Sequence, residues 1–160
     1  MALLGSDDAQ RLREEFAAMT RRVHLVFFTR SLDCEACPLT RQILDELAGL
    51  SDKIIIDEVN LVLEPDRARA YGVDRAPAIV LAYEEERTEE KTDEEGAGRD
   101  AALRDTRMRF IGAPAGYEFI GLVQAVLLAG GRPTRLSEPS LAQLAALDRP
   151  VAVQVFSTPT

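Results

Sequence analysis

The chain has only two cysteines and a single histidine among its 160 residues. So few cysteines exclude a disulfide-rich secreted scaffold, and one histidine beside them leaves a metal site short of ligands. The two cysteines belong to the motif Cys34-Glu35-Ala36-Cys37, a spacing that usually indicates redox or metal chemistry in an intracellular protein. No metal is expected within one chain, although a zinc ion shared between two chains stays open as an alternative.

Positive charge is also scarce, because 19 Lys and Arg face 27 Asp and Glu and give a net charge of -8. Such a chain repels phosphate backbones and anionic membrane surfaces at long range, so neither nucleic acid nor a membrane is expected as a partner. The sequence does not open on an apolar stretch led by Lys or Arg, and no apolar run is long enough for a membrane span. These features favour a cytoplasmic protein; its oligomeric state cannot be inferred from them.

What is present is an alternation of strand and helix patterns. The mostly apolar run 23–29 is typical of a strand that is covered on both faces, and Ile54-Ile55-Ile56 predicts a second such strand. The alternation predicts an α/β fold. The complete prediction has helices over 6–19, 38–50, 66–71 and 119 to about 130, with strands over 23–29, 54–59, 78–82 and 107–111.

Two segments depart from this alternation. Residues 84–105 are dominated by Glu, Asp, Arg and Thr, a composition that predicts a solvated, mobile hairpin extension. After Gly130-Gly131 the sequence predicts a helix capped by Ser137 and then a strand over 151–156. That strand resembles the run 23–29, which indicates either an internal repeat or the likeness that any two strands share.

The cysteine motif falls between the first strand and the helix that contains Pro38, and therefore at a helix N-terminus. Exposed amides and the helix dipole favour a thiolate there and lower its pKa. We expect Cys34, the cysteine nearer to solvent, to be the attacking nucleophile and Cys37 to resolve the mixed disulfide. Asp33 and Glu35 place negative charge beside the thiolate and oppose the dipole, which predicts a comparatively reducing centre.

Pro77 is the second candidate feature, since it follows the small residue Ala76 at the entry to a predicted strand. A cis peptide bond is a specific feature at such a position, and it would leave the backbone of Ala76 free to pair with an extended substrate. The alternative is an edge-strand proline without a role. The position of the cysteine pair favours the substrate-binding interpretation. Arg30 and Arg75 are expected to flank the cysteines and, being exposed, to contribute little.

His24 and Asp57 are weighed as proton carriers and set aside. His24 lies on the first predicted strand and is interpreted as a hydrogen-bonded structural residue. Asp57 follows the apolar run 54–56 and is interpreted as a solvated strand end.

The order strand, cysteine pair, helix, strand, helix, proline, hairpin and helix resembles that of thioredoxins and glutaredoxins. Along its whole length the chain resembles the N-terminal part of the two-unit protein disulfide oxidoreductases, a glutaredoxin-like family. The resemblance implies a thioredoxin-like fold with a central mixed sheet, helices on both faces and a C-terminal helix and strand. It is carried by Val26-Phe27-Phe28, Cys34 with Cys37, Asp74-Arg75-Ala76-Pro77-Ala78 and the segment 109–119.

The resemblance further implies a thiol:disulfide oxidoreductase that reduces or exchanges protein disulfides, with no cofactor beyond its own Cys34–Cys37 disulfide. A flavoprotein similar to thioredoxin reductase is implied as electron donor. Residues 1–131 would form one redox unit, and 132–160 a linker helix with the first strand of a second unit. The family carries a Cys-x-x-Cys in each unit, and this sequence contains one. A non-catalytic thioredoxin-like binding or docking module is the alternative function.

Overall fold

The computed structural model describes residues 4–85 and 102–157. Within these residues, no helix combines the length and the apolar character that a membrane crossing needs. The elements in chain order are α1 (Ser6–Ala17), β1 (Val23–Thr29), α2 (Cys37–Ala48), β2 (Ile54–Asn60), α3 (Pro65–Ala70), β3 (Ala78–Glu84), β4 (Leu103–Ile111), α4 (Tyr117–Ala129) and α5 (Glu138–Ala145).

The four strands form one mixed sheet in the order β2-β1-β3-β4. Strand β1 pairs with β2 in parallel and with β3 antiparallel, and β3 pairs with β4 antiparallel. A parallel pair needs a crossover connection, which α2 supplies. The central place of β1 explains why its sequence is almost continuously apolar, and the predicted mixed sheet is confirmed.

Alternate residues of β1 feed two separate cores. Leu25 and Phe27 belong to the larger core, which also contains residues of α1, α2 and α4. Val26 and Phe28 belong to a smaller core on the opposite face, which α3 covers. Because successive strand residues point to opposite faces, one apolar strand can bind helices on both sides of the sheet. The predicted layers on both faces are therefore confirmed.

The predicted hairpin extension over 84–105 is ordered at both ends, where its residues pair antiparallel within strands rather than being mobile. Glu84 is the last residue of β3 and pairs with Leu103, while Arg104 pairs with Tyr83 within β4. Strand β4 is therefore four residues longer than the predicted 107–111. Charged residues are tolerated there because β4 lies at the edge of the sheet and its side chains reach solvent. The remainder of the predicted extension, 86–101, lies outside the described residues.

Of the two elements predicted for the C-terminal region, the helix is confirmed and the strand is not. Helix α5 forms as predicted, and the Ser137 hydroxyl accepts a hydrogen bond from the amide of Ser140 at 3.3 Å. The predicted strand over 151–156 is wrong, because these residues have no regular structure and Phe156 is 89% exposed. A strand exists only where its backbone pairs with a neighbour, and no described residue pairs with this segment. The division into two units stays a prediction.

An arginine links β4 to the segment that follows α3. The Arg109 guanidinium donates to both carboxylate oxygens of Asp105, at 2.8 and 2.6 Å, and to the carbonyl of Tyr71 at 3.0 Å. This hydrogen bonding lowers the pKa of Asp105. The guanidinium thus connects β4 to Tyr71, which packs against the smaller core.

His24 lies between two carboxylates at the end of the sheet away from the cysteines. Its Nδ1 is 2.6 Å from Asp57 and its Nε2 is 3.0 Å from Glu84. The interpretation of His24 as a hydrogen-bonded strand residue is confirmed. The interpretation of Asp57 as a solvated strand end is wrong, because Asp57 lies inside β2 opposite Val26 and pairs with the imidazole.

Replacing this histidine should destabilise the fold. In His24→Ala the carboxylate of Asp57 loses its polar partner and faces Glu84 across the vacated position. Because both carboxylates are partly exposed, we expect the free energy of unfolding to fall by about 1–2 kcal/mol. Urea denaturation followed by circular dichroism measures this change. The added substitution Asp57→Asn should recover part of the loss, and an unchanged urea midpoint for His24→Ala would contradict the argument.

Candidate redox site

Cys34 and Cys37 form a disulfide at the start of α2, with their Cα atoms 5.4 Å apart. The loop 30–36 leads from the end of β1 to this helix, whose first residue is Cys37 and whose N-cap is Ala36. The amide of Cys37 donates to the carbonyl of Cys34 at 3.2 Å and closes the turn between the two residues. The motif therefore occupies the helix N-terminus, where a thiolate is stabilised.

The two sulfur-bearing residues differ in exposure. Cys34 is partly exposed, whereas Cys37 is only 7% exposed and belongs to the larger core. A substrate disulfide would therefore reach Cys34 first. This difference supports the assignment of Cys34 as nucleophile and Cys37 as resolving cysteine, which stays a prediction.

The acidic neighbours of the cysteines face solvent. Asp33 and Glu35 are both exposed, and Asp33 has a φ of 57°, the left-handed region in which aspartate is more common than most residues. Pro38 is exposed in the first turn of α2, where its missing amide costs no helical hydrogen bond. The effect of the two carboxylates on the redox potential stays a prediction.

Thr40, one turn beyond the cysteine pair, is a residue that sequence reasoning missed. Its side chain is completely buried, and its hydroxyl donates to the carbonyl of Ala36 at 2.8 Å. The amide of Thr40 donates to the same oxygen at 3.0 Å. A threonine hydroxyl that bonds four residues back along a helix is a recurrent pattern. Here it fixes the carbonyl that stands between the two cysteines.

Pro77 lies at the same end of the sheet as the disulfide. The Ala76–Pro77 peptide bond is cis, and Pro77 is buried while Ala76 is partly exposed. Ala78 pairs with Phe28, so Pro77 enters β3 beside the place where β1 ends. Both Ala76 and Cys34 pack against the larger core. The amide of Gly112 donates to the Pro77 carbonyl at 2.9 Å and attaches the segment after β4 to the same region.

The two arginines near the cysteines differ in their partners. Arg75 donates to Asp74 at 2.8 Å, an exposed pair in which the hydrogen bond lowers the pKa of Asp74. Arg75 is thus paired with its neighbour rather than with Asp33 or Glu35. Arg30 is exposed, and no described residue hydrogen-bonds or ion-pairs with its guanidinium.

Comparison with known proteins agrees with this geometry. No protein-family model matches the chain. A thioredoxin from Methanocaldococcus jannaschii is 28% identical over 61 residues, which are 38% of this chain and 71% of the thioredoxin. The N-terminal domain of alkylhydroperoxide reductase AhpF from Enterococcus faecalis superposes with a TM-score of 0.73 and 27% identity, covering 91% of this chain and 62% of that structure.

A protein disulfide oxidoreductase from Aeropyrum pernix shares the fold with a TM-score of 0.67 at 19% identity, covering 89% of this chain and 55% of its own. The chain thus spans 62% and 55% of the length of these two structures. The mixed sheet, the position of the disulfide and these likenesses lead to one conclusion. The chain has a thioredoxin-like fold with a Cys-x-x-Cys pair at the start of α2.

Proposed function

We propose that the protein is a cytoplasmic thiol:disulfide oxidoreductase that reduces or exchanges protein disulfides through Cys34 and Cys37. One observation carries the proposal: the two cysteines form a disulfide at the N-terminus of α2 and only Cys34 is accessible. A merely structural disulfide has no need of an exposed sulfur beside a helix N-terminus.

The reduction of a substrate disulfide proceeds in two thiol–disulfide exchange steps. The Cys34 thiolate attacks one sulfur of the substrate disulfide, which forms a mixed disulfide and releases the other substrate sulfur as a thiolate. The Cys37 thiolate then attacks the Cys34 sulfur, which releases the second substrate thiol and leaves the Cys34–Cys37 disulfide. The substrate gains two electrons. A flavoprotein similar to thioredoxin reductase returns two electrons to the protein's disulfide.

Substrate binding is proposed at the segment before β3. The backbone of Ala76 is partly exposed next to the buried cis Pro77, where an extended substrate segment could add hydrogen bonds as a strand does. Arg75, two positions before Pro77, is a second proposed contact for the substrate at the rim of this segment, beside its partner Asp74. Exchange then occurs while the substrate is held in an extended conformation near Cys34.

We also propose that residues 1–131 form the redox unit and that 132–160 lead into a second thioredoxin-like unit. Helix α5 buries none of its residues, in contrast to α1–α4. Val153 is 81% exposed, although its sequence pattern is that of a covered strand. A neighbouring unit would cover these apolar side chains.

Insulin reduction tests the proposed activity. With dithiothreitol as electron donor, the protein should accelerate the precipitation of insulin B chains well above the rate with dithiothreitol alone. The double variant Cys34→Ser/Cys37→Ser is the control and should show the dithiothreitol rate. Equal rates for the two proteins would overturn the proposal and favour the non-catalytic binding module.

A further inference from the structure

A cavity of about 300 Å³ lies on the α3 side of the sheet, at the end where β1 passes into the loop that carries the cysteines. Its floor is apolar and includes Ala68 and Val73, which are 6% and 7% exposed and belong to the smaller core. Val62 forms part of its wall, and Arg30 and Arg69 stand at its rim. We call this cavity the Arg30 pocket. Its size suits a single amino-acid side chain.

The Arg30 pocket is built from the two segments that carry the redox site. Arg30 follows the last residue of β1 and precedes Cys34 by four positions, and it lines the cavity. Asp74 lines it as well and precedes Ala76 by two positions. The cavity is therefore connected along the chain to both Cys34 and Ala76, although neither residue lines it.

The charged side chains at the rim differ in whether they already have an ion-pair partner. Arg69 donates to Asp66 at 3.0 Å, and Asp74 accepts from Arg75 at 2.8 Å, so both are already paired. The guanidinium of Arg30 has no such partner among residues 4–85 and 102–157. In a chain with a net charge of -8, an unpaired cation beside an apolar cavity would attract an anionic group.

We propose that the Arg30 pocket selects protein substrates whose reactive cysteine is flanked by an apolar residue next to an acidic one. The apolar side chain enters the cavity over Ala68 and Val73, and the carboxylate pairs with Arg30. This inference rests on the proposed oxidoreductase function and names its substrate class. The occupant is a segment of polypeptide because two lining residues, Arg30 and Asp74, continue along the chain into Cys34 and Ala76, the residues that the proposed substrate contacts.

Three peptide disulfides test the pocket. Each is a symmetrical dimer of a short peptide with one cysteine, in which the cysteine is followed by Leu-Glu, Leu-Lys or Gly-Gly. The ratio of kcat/KM for the Leu-Glu and Leu-Lys peptides is measured with dithiothreitol as electron donor and chromatographic detection of the monomer. We expect a ratio of about ten for the unaltered protein, which is the size of one favourable charged contact of about 1.4 kcal/mol.

Two variants separate the pocket from general charge effects. Arg30→Gln should reduce the Leu-Glu to Leu-Lys ratio to below about two, because the anion loses its partner. Arg67→Gln is the matched control: Arg67 lies on α3 outside the cavity, paired with Glu64, and its loss should leave the ratio unchanged. Val62→Ser should lower the preference for Leu-Glu over Gly-Gly, because the wall becomes polar.

The outcomes distinguish this inference from the function on which it rests. If the unaltered protein reduces all three peptides with equal kcat/KM, or if Arg30→Gln keeps the ratio, the pocket does not select substrates and the inference is overturned. If no peptide is reduced faster than by dithiothreitol alone, the oxidoreductase function itself fails.

Discussion

Cys37→Ser is expected to convert the protein from a catalyst into a covalent trap. Cys34 is the accessible cysteine and attacks the substrate, but the hydroxyl that replaces the Cys37 thiol cannot release the mixed disulfide. Catalysed insulin reduction should fall to the dithiothreitol rate. At the same time, a peptide disulfide added without dithiothreitol should accumulate as an adduct. Intact-protein mass spectrometry would show a mass increase equal to one reduced peptide minus two hydrogens.

Cys34→Ser is the matched variant and should fail in a different way. It also loses catalysed insulin reduction, but the remaining Cys37 is 7% exposed and should form little adduct in the same time. The contrast in adduct between two variants that are equally inactive assigns the nucleophile. Faster adduct formation on Cys34→Ser than on Cys37→Ser would reverse the assignment.

The position of the cysteine pair was predictable because it follows from the local sequence pattern. A cysteine pair between an apolar run and a helical stripe can lie at only one place, the N-terminus of that helix. The place of Pro77 beside it was implied by a family resemblance, because the antiparallel pairing of β1 with β3 is a tertiary fact. The sequence distance between the two features carries no information about that pairing.

Two predictions about chain segments were wrong, the strand over 151–156 and the mobility of both ends of 84–105. In each case the structure of the segment depends on residues elsewhere in the chain. The alternation of Val151, Val153 and Val155 is typical of a strand. A strand also needs a backbone partner, and this segment pairs with none of the described strands. Conversely, Arg104 and Asp105 are charged and still belong to a strand, because β3 offers their backbone hydrogen-bond partners at the sheet edge. Composition indicates which side chains are solvated, but whether the backbone forms a strand depends on its hydrogen-bond partners.

The side-chain partners of Thr40 and Asp57 were beyond sequence reasoning for a related reason. Thr40 is buried because α2 turns that residue toward the core, and the hydroxyl then has to find the carbonyl of Ala36. Asp57 meets His24 only through the parallel register of β1 and β2. Each contact depends on the relative placement of two elements rather than on a motif.

Phe28→Ala should cause a large loss of stability and act on the redox site through the smaller core. Phe28 is completely buried, and its ring meets that of Tyr71 edge to face, with centroids 5.8 Å apart. It pairs with Ala78 on one side and Val59 on the other, so it joins three strands at the end that carries the disulfide. Its removal leaves a cavity beneath α3.

We expect Phe28→Ala to lower the free energy of unfolding by about 3–5 kcal/mol, from lost burial and an unfilled cavity. Tyr71→Phe is the control, because it keeps the ring contact and removes only a hydroxyl; it should change the free energy by less than about 1 kcal/mol. Urea denaturation of both variants in the disulfide form measures the difference. A loss below about 1 kcal/mol for Phe28→Ala would mean that the smaller core does not hold α3 to the sheet. Since Ala68 and Val73 also form the floor of the Arg30 pocket, a loosened α3 should weaken peptide selectivity as well as stability.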